Sequence, residues 1–219
     1  GTHYLDITGE MFEHEECAAR DAEARQAGVM LLPSAGYDVV PSDCLALHTA
    51  RRLPAATHLT LAFTQVGGFS RGTMITSVEM VSRAGLVRKD GVLTPIPPGS
   101  KARTVDFGEG PTHVVSIPWG DLATAYHSTG IPNIETYIAL PPAGQSILKG
   151  ADKLSSVAAS PLGQRVLKSL VGLMPEGPDA TTRAKGYALL WCEVTDDAGN
   201  KAVSRMRAPH AYTLTAAAS

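Results

Sequence analysis

The chain has 219 residues, 44% hydrophobic and 18% charged, with a formal net charge of −2. Lys and Arg number 19 against 21 Asp and Glu, so no basic excess supports nucleic-acid binding. No apolar run reaches the about 18 residues of a membrane-spanning helix, and the 21 Gly and 15 Pro suit a loop-rich α/β or α+β fold.

The segment from His3 to Thr8 reads as a strand. Met11 to Ala27 reads as one helix: Glu10, Glu13, Glu15 and Glu16 stand at its start and Arg25 near its end, which complements the helix dipole. Gly28 is a natural stop. Val29 to Pro33 is a short apolar run of the kind that forms a buried parallel strand. Strand, helix and buried strand make a βαβ unit with a right-handed crossover. Ser42 and Asp43 can cap the next helix, which runs through Cys44 and His48 to Leu53 and stops at Pro54.

From residue 57 the texture changes. Residues 59–64 alternate like a strand with one buried face, and a glycine-rich turn over 67–72 leads into a helix from Thr73 to Ala84, stopped by Gly85. Lys89-Asp90-Gly91-Val92 carries the Asp-Gly hairpin signal. Strands are expected over 103–107, 112–118, 134–140, 186–195 and 201–207, with a hairpin turn over 196–200 and helices over 121–128 and 161–173. The fold class expected is α/β plus α+β, a βαβ unit followed by a mixed or antiparallel sheet with helices on one face. Both ends stop inside expected structure, the second within a helix begun at Tyr212, so the chain reads as an internal piece of a longer protein.

Cys17, Cys44 and Cys192 form no CxxC pair and read as free thiols of a reducing cytosol. HExxH is absent from the seven histidines, and no metal site is expected. Gly68-Phe69-Ser70-Arg71-Gly72 matches G-x-S-x-G between a strand and a helix, the context of a nucleophile elbow. Its serine would need a base and an acid later in the chain, from Asp121, Asp179, His127 or His210. The plainer reading is a tight glycine turn at a helix start. A third is an anion site: N–H groups beside Arg71 can hold a carboxylate or phosphate, which makes Gly68, Ser70 and Arg71 candidates for substrate binding. Ligands of open parallel sheets sit beyond the carboxyl ends of the strands. That rule brings forward Thr8, Gly9 and Glu10 after the first strand, and Gly36, Tyr37, Asp38 and Ser42 after the second. Against it, Asp38 can serve a turn, Asp43 a helix cap and Glu10 the helix dipole.

Gly-Thr-His-Tyr-Leu-Asp-Ile-Thr-Gly-Glu over 1–10 and Pro-Ser-Ala-Gly-Tyr-Asp-Val-Val-Pro-Ser-Asp over 33–43 resemble the saccharopine dehydrogenase-like oxidoreductases, and most of all their trans-acting enoyl reductase branch. Residues 67–73, 128–133 and 212–216 resemble that family in the same order. The resemblance implies an NAD(P)-dependent oxidoreductase that delivers hydride to an unsaturated or imine carbon of a small-molecule or acyl substrate. Tyr37 and Asp38 would then be catalytic, and Thr8, Gly9, Glu10, Gly36 and Ser42 would border NADP or NAD. Residues 1–56 would be the tail of a Rossmann-type domain, 57–209 a substrate or dimerisation domain, and 210–219 a helix returning to the nucleotide domain. In the family the glycine-rich nucleotide turn precedes the Gly-Thr-His-Tyr motif, so this chain alone is expected to be inactive and to hold a dinucleotide weakly or not at all. A homodimer through the sheet domain and a cytoplasmic location, with peripheral membrane association left open, complete the expectation. The alternatives are a serine hydrolase using Ser70 and a non-catalytic homologue that serves dimerisation or lipid docking.

Overall fold

The computed structural model describes residues 1–75, 85–139, 160–173 and 176–219. Its first unit is a pair of short parallel strands, β1 (Tyr4–Leu5) and β2 (Leu31–Leu32), in register Tyr4 to Leu31. Two helices join them, α1 (Met11–Ala19) and α2 (Asp21–Ala27). The single helix expected over 11–27 is therefore broken at Arg20, because the two pieces serve different surfaces: α1 buries Met11 and His14, whereas α2 buries only Ala24. Gly28 ends α2 in the left-handed conformation, at φ 63°. The second strand is not buried as its apolar run suggested, since Met30 and Leu32 are exposed on this two-stranded sheet. The parallel pair stands as expected, and the described residues add no further strand to it.

Helix α3 (Val40–Ala50) starts ahead of the expected Ser42-Asp43 cap and ends at Ala50 rather than Leu53. Pro41 fits the first turn because its missing N–H has no intrahelical partner to lose there. The larger sheet then forms from β3 (His58–Val66), β4 (Gly85–Lys89), β5 (Val92–Ile96), β6 (Ala102–Asp106), β7 (Pro111–Ser116), β8 (Asn133–Ala139), β9 (Tyr187–Thr195) and β10 (Lys201–Pro209). The order β10-β9-β3-β8 is antiparallel except for β3 and β8, which run parallel. The free edge of β8 is shared by two hairpins: β4–β5 reaches it at Ile134, and β6–β7 pairs with its far end at Ile138. Gly85, read as a helix stop, is the first residue of β4. The expected helix over 73–84 begins at 71 and can be followed to 75; the rest of it lies outside the described residues. Asp90 and Gly91 take positive φ, 49° and 79°, as a tight Asp-Gly hairpin turn requires.

Alternation along β3 builds two cores. Leu59, Leu61 and Phe63 face the helical side with Leu45 and Ala46 of α3, Leu122 and Ala125 of α4 (Asp121–Thr129), and Leu190 and Val194 of β9. Ala62 faces the other way, where Val105, Phe107 and Val114 of the β6–β7 hairpin close over Tyr137, Leu189 and Trp191. Arg103 fastens that closure, bonding Thr60 Oγ1 at 2.9 Å and Glu193 Oε1 at 2.9 Å. Met11 and Tyr37 belong to the helical-side core, so one apolar cluster joins the first unit to the large sheet. Buried Arg88 of β4 reinforces the join: its guanidinium bonds the Leu122 carbonyl at 2.5 Å, the Gly91 carbonyl at 2.7 Å and the Glu15 carboxylate of α1, and lies over the Tyr126 ring. The remaining helices are α5 (Pro161–Gly172), α6 (Ala180–Lys185) and α7 (Ala211–Ala218). None of the helices in the described residues is long and apolar enough to cross a membrane.

Candidate functional site

The loops after β1 and β2 are tied into one body by Asp6. Its Oδ1 accepts from the backbone N–H groups of Ser34 at 2.8 Å and Thr8 at 3.0 Å, and its Oδ2 accepts from the Tyr4 hydroxyl. Burial opposes ionisation of Asp6, yet these three donors hold its carboxyl below the ordinary range. Ser34 gives its single hydroxyl proton to the Thr8 carbonyl, so the 2.5 Å contact with buried His14 must be donated by Nε2. Burial pulls the His14 pKa down, and the ring is a neutral strut between α1 and the second loop.

On that body sits a buried acidic locality of the fold. Tyr37 and Asp38 follow the second loop, Ser42 and Asp43 lie in the first turn of α3, and Asp121 opens α4. Among the described residues, the buried side-chain polar atoms without a partner are Tyr37 Oη, Asp38 Oδ1, Asp43 Oδ1, Asp121 Oδ1 and Thr124 Oγ1, and the first four belong to groups that act on one another electrostatically. Burial pushes Asp38 up to about 7. It also raises Asp121, which is only 1% exposed, well above the carboxylate range, and the nearby Asp43 and Asp38 charges add to the effect. Burial, with Asp38 and Asp121 nearby, keeps the Tyr37 phenol protonated. The result is a set of buried acids whose ionisation the surroundings oppose. No group of three or more His, Cys, Asp or Glu among the described residues is placed to hold a metal.

The residues expected to border a dinucleotide lie in the loops around this locality, and two of their hydroxyls bond the protein itself. Thr8 Oγ1 accepts from Glu10 N–H at 3.2 Å, and Ser42 Oγ donates to the Val39 carbonyl at 3.0 Å. A Cβ on Gly9 would come within 2.8 Å of Asp38 Oδ2, and one on Gly36 within 2.9 Å of Thr215 Cγ2. Gly9 and Gly36 thus admit close approach by neighbouring parts of the chain.

Gly68, Ser70 and Arg71 form a second locality, and α7 connects the two. On one face of that helix the Tyr212 hydroxyl accepts from Ser70 N–H at 2.6 Å, and one turn on Thr215 Oγ1 accepts from Tyr37 N–H at 3.0 Å. Ser70 is the cap of the helix that starts at 71: its Oγ accepts from Thr73 N–H at 3.1 Å. None of Asp121, Asp179, His127 and His210 hydrogen-bonds Ser70. Asp179 instead caps α6 through Thr182 N–H at 2.7 Å, and buried His210 caps α7. The His210 ring also packs tightly enough on Gly67 and Gly186 that a Cβ on either would come within 2.7 or 2.4 Å of its Cδ2. Among the described residues no hydrogen bond joins Ser70 to a candidate base or acid, and the glycine turn packs closely as the plainer reading expects.

Sequence reasoning brought together Tyr37, Asp38 and Ser42 and missed Asp121 as their companion, as well as Thr215 and Tyr212. Gly120-Asp121 at a helix start is indistinguishable in sequence from an ordinary dipole-matching acid. The Tyr-x-x-Thr spacing of 212 and 215 places both side chains on one helix face, which was the available signal. No protein-family model matches the chain, and no curated protein matches it.

Proposed function

We propose that the chain is the part of an NAD(P)-dependent oxidoreductase that carries the proton donor for reduction of an unsaturated or imine carbon. The observation that carries this reading is Asp38, a carboxyl pushed up to about 7 beyond the carboxyl end of a parallel strand, with the unpartnered Tyr37 phenol and the likewise raised Asp121 carboxyl around it. A general acid works best when its pKa lies near the operating pH, and a carboxyl raised to about 7 beside a second raised carboxyl and a phenol suits that role. In this reading Asp38 gives its proton to the carbon or nitrogen that gains negative charge, and Tyr37 orients the substrate atom. The hydride belongs to a nicotinamide, and the family's glycine-rich nucleotide turn is not in this sequence. The site then acts in the cytoplasm on a small-molecule or acyl substrate. Fluorescence titration of the natural protein that carries this chain tests the proposal: saturable binding of NADPH or NADH is expected, and its absence with both would refute the cofactor assignment.

A further inference from the structure

The loop from Ser34 to Val39 carries Asp38, and its backbone donors show what holds it. Ala35 N–H donates to the Asp6 carbonyl at 2.8 Å, and the N–H groups of Val39 and Val40 donate to the Ser34 and Gly36 carbonyls at 3.2 and 3.0 Å. These bonds tie the loop to its own βαβ unit. Tyr37 N–H, next to Asp38, leaves that unit and bonds Thr215 Oγ1 of α7 at 3.0 Å, 178 residues away in sequence. A buried backbone donor needs an acceptor, and here a threonine hydroxyl supplies it.

The packing at this point is close. A Cβ on Gly36 would come within 2.9 Å of Thr215 Cγ2 and 3.2 Å of its Oγ1, so the threonine lies directly on the loop backbone. At the other end of the segment, Asp38 Oδ2 lies equally close to Gly9. Helix α7 is itself well seated. Leu214 packs against the helical-side core, and the Tyr212 hydroxyl accepts from Ser70 N–H at 2.6 Å and meets Thr73 Oγ1 at 2.8 Å. We propose that Thr215 is a positioning residue for Asp38: by accepting the Tyr37 N–H it holds the loop where the Asp38 carboxyl is kept from water. The proposal rests on the reading of Asp38 as the proton donor. Burial is what raises the Asp38 carboxyl, so the contact that fixes the loop also fixes its acidity. The titratable groups around it are Tyr37 of the same loop and Asp121 of α4, with Asp43 of α3 acting on Asp121. None of these is a cation, so relief from burial is the change that a freed loop would bring.

A pH titration of the aspartate carboxyl carbons by NMR in the 219-residue protein tests this. The wild-type Asp38 midpoint should stand at about 7. Thr215→Val keeps the shape and removes the acceptor, and it should lower the midpoint by about 1 pH unit or more. Thr215→Ser keeps the hydroxyl and should hold the wild-type value. Gly36→Ala reaches the same contact from the loop side, should lower the midpoint as well, and decides the matter should Thr215→Val not fold. Leu214→Ala loosens the packing of α7 without touching the Tyr37 N–H; it should lower the thermal melt and leave the midpoint in place, which separates positioning from stability. An unchanged midpoint in Thr215→Val, or an equal fall in Leu214→Ala, would overturn the proposal and leave the donor reading standing. A wild-type midpoint near 3.8 would remove the donor reading and the proposal together.

Discussion

At Asp38 the decisive effect is desolvation without a counter-ion. Its ordinary pKa of 3.8 rises to about 7 in the fold, so between those values the native state binds a proton that the unfolded chain releases. Stability from this group is therefore complete in acid and is lost as pH rises from about 4 to about 7. Asp38→Asn, which is neutral throughout, should match the wild type near pH 4 and exceed its unfolding free energy by on the order of 3 kcal/mol near pH 8. Urea denaturation at the two pH values measures this, and a variant less stable at high pH would mean that Asp38 has a cation partner. Asp121→Asn should shift stability in the same direction, because burial and the like charges of Asp43 and Asp38 raise that carboxyl as well. Neither carboxyl was legible as a raised acid in the sequence. Asp38 stood out by its place after a strand, while burial depends on α3, α4 and the 8–10 loop meeting around it, which are contacts between distant segments.

Among the elements, those whose local chemistry agrees with their packing were readable. The Asp90-Gly91 turn, the alternation of β3 and the C-terminal glycine of α2 each combine a pattern with a backbone requirement. The failures have tertiary causes. The apolar Met30-Leu31-Leu32 run predicts burial only when layers cover both faces of the sheet, and α6 was unforeseen because a six-residue helix carries too little periodicity to register. Ser70 is a test at this scale. As a helix cap, Ser70→Ala should cost about 1 kcal/mol, and the wild type should resist a fluorophosphonate probe. Labelling lost in Ser70→Ala would restore the hydrolase reading. Gly186 is a second test: with φ of −74° it has no conformational need to be glycine, yet a Cβ would lie 2.6 Å from the Val66 carbonyl oxygen and 2.4 Å from His210. Gly186→Ala should therefore destabilise by about 1–3 kcal/mol in chemical denaturation, and a neutral result would mean that the junction of β3 and α7 yields easily.

For the whole molecule, α7 is the connection between the acid locality and the glycine turn, and Arg88 is the connection between the βαβ unit and the large sheet. Arg88→Leu leaves the Glu15 carboxylate and two carbonyls without their donor, so a loss of about 3–5 kcal/mol is expected in thermal or urea unfolding; a loss under about 1 kcal/mol would show that the two units hold together by apolar packing alone. Since Thr8, Gly9, Gly36 and Ser42 are engaged by their own neighbours, calorimetry of the 219-residue chain with NADPH should find no binding tighter than about millimolar, roughly 4 kcal/mol. A micromolar dissociation constant would place a dinucleotide cradle in this chain. The account rests most heavily on a proton-bearing Asp38, and a pH titration of aspartate carboxyl carbons by NMR measures it directly, with the Asp38 resonance identified by its absence in Asp38→Asn. The resonance should titrate near pH 7; a midpoint near the ordinary value of 3.8 would remove the proton donor and the proposed function with it.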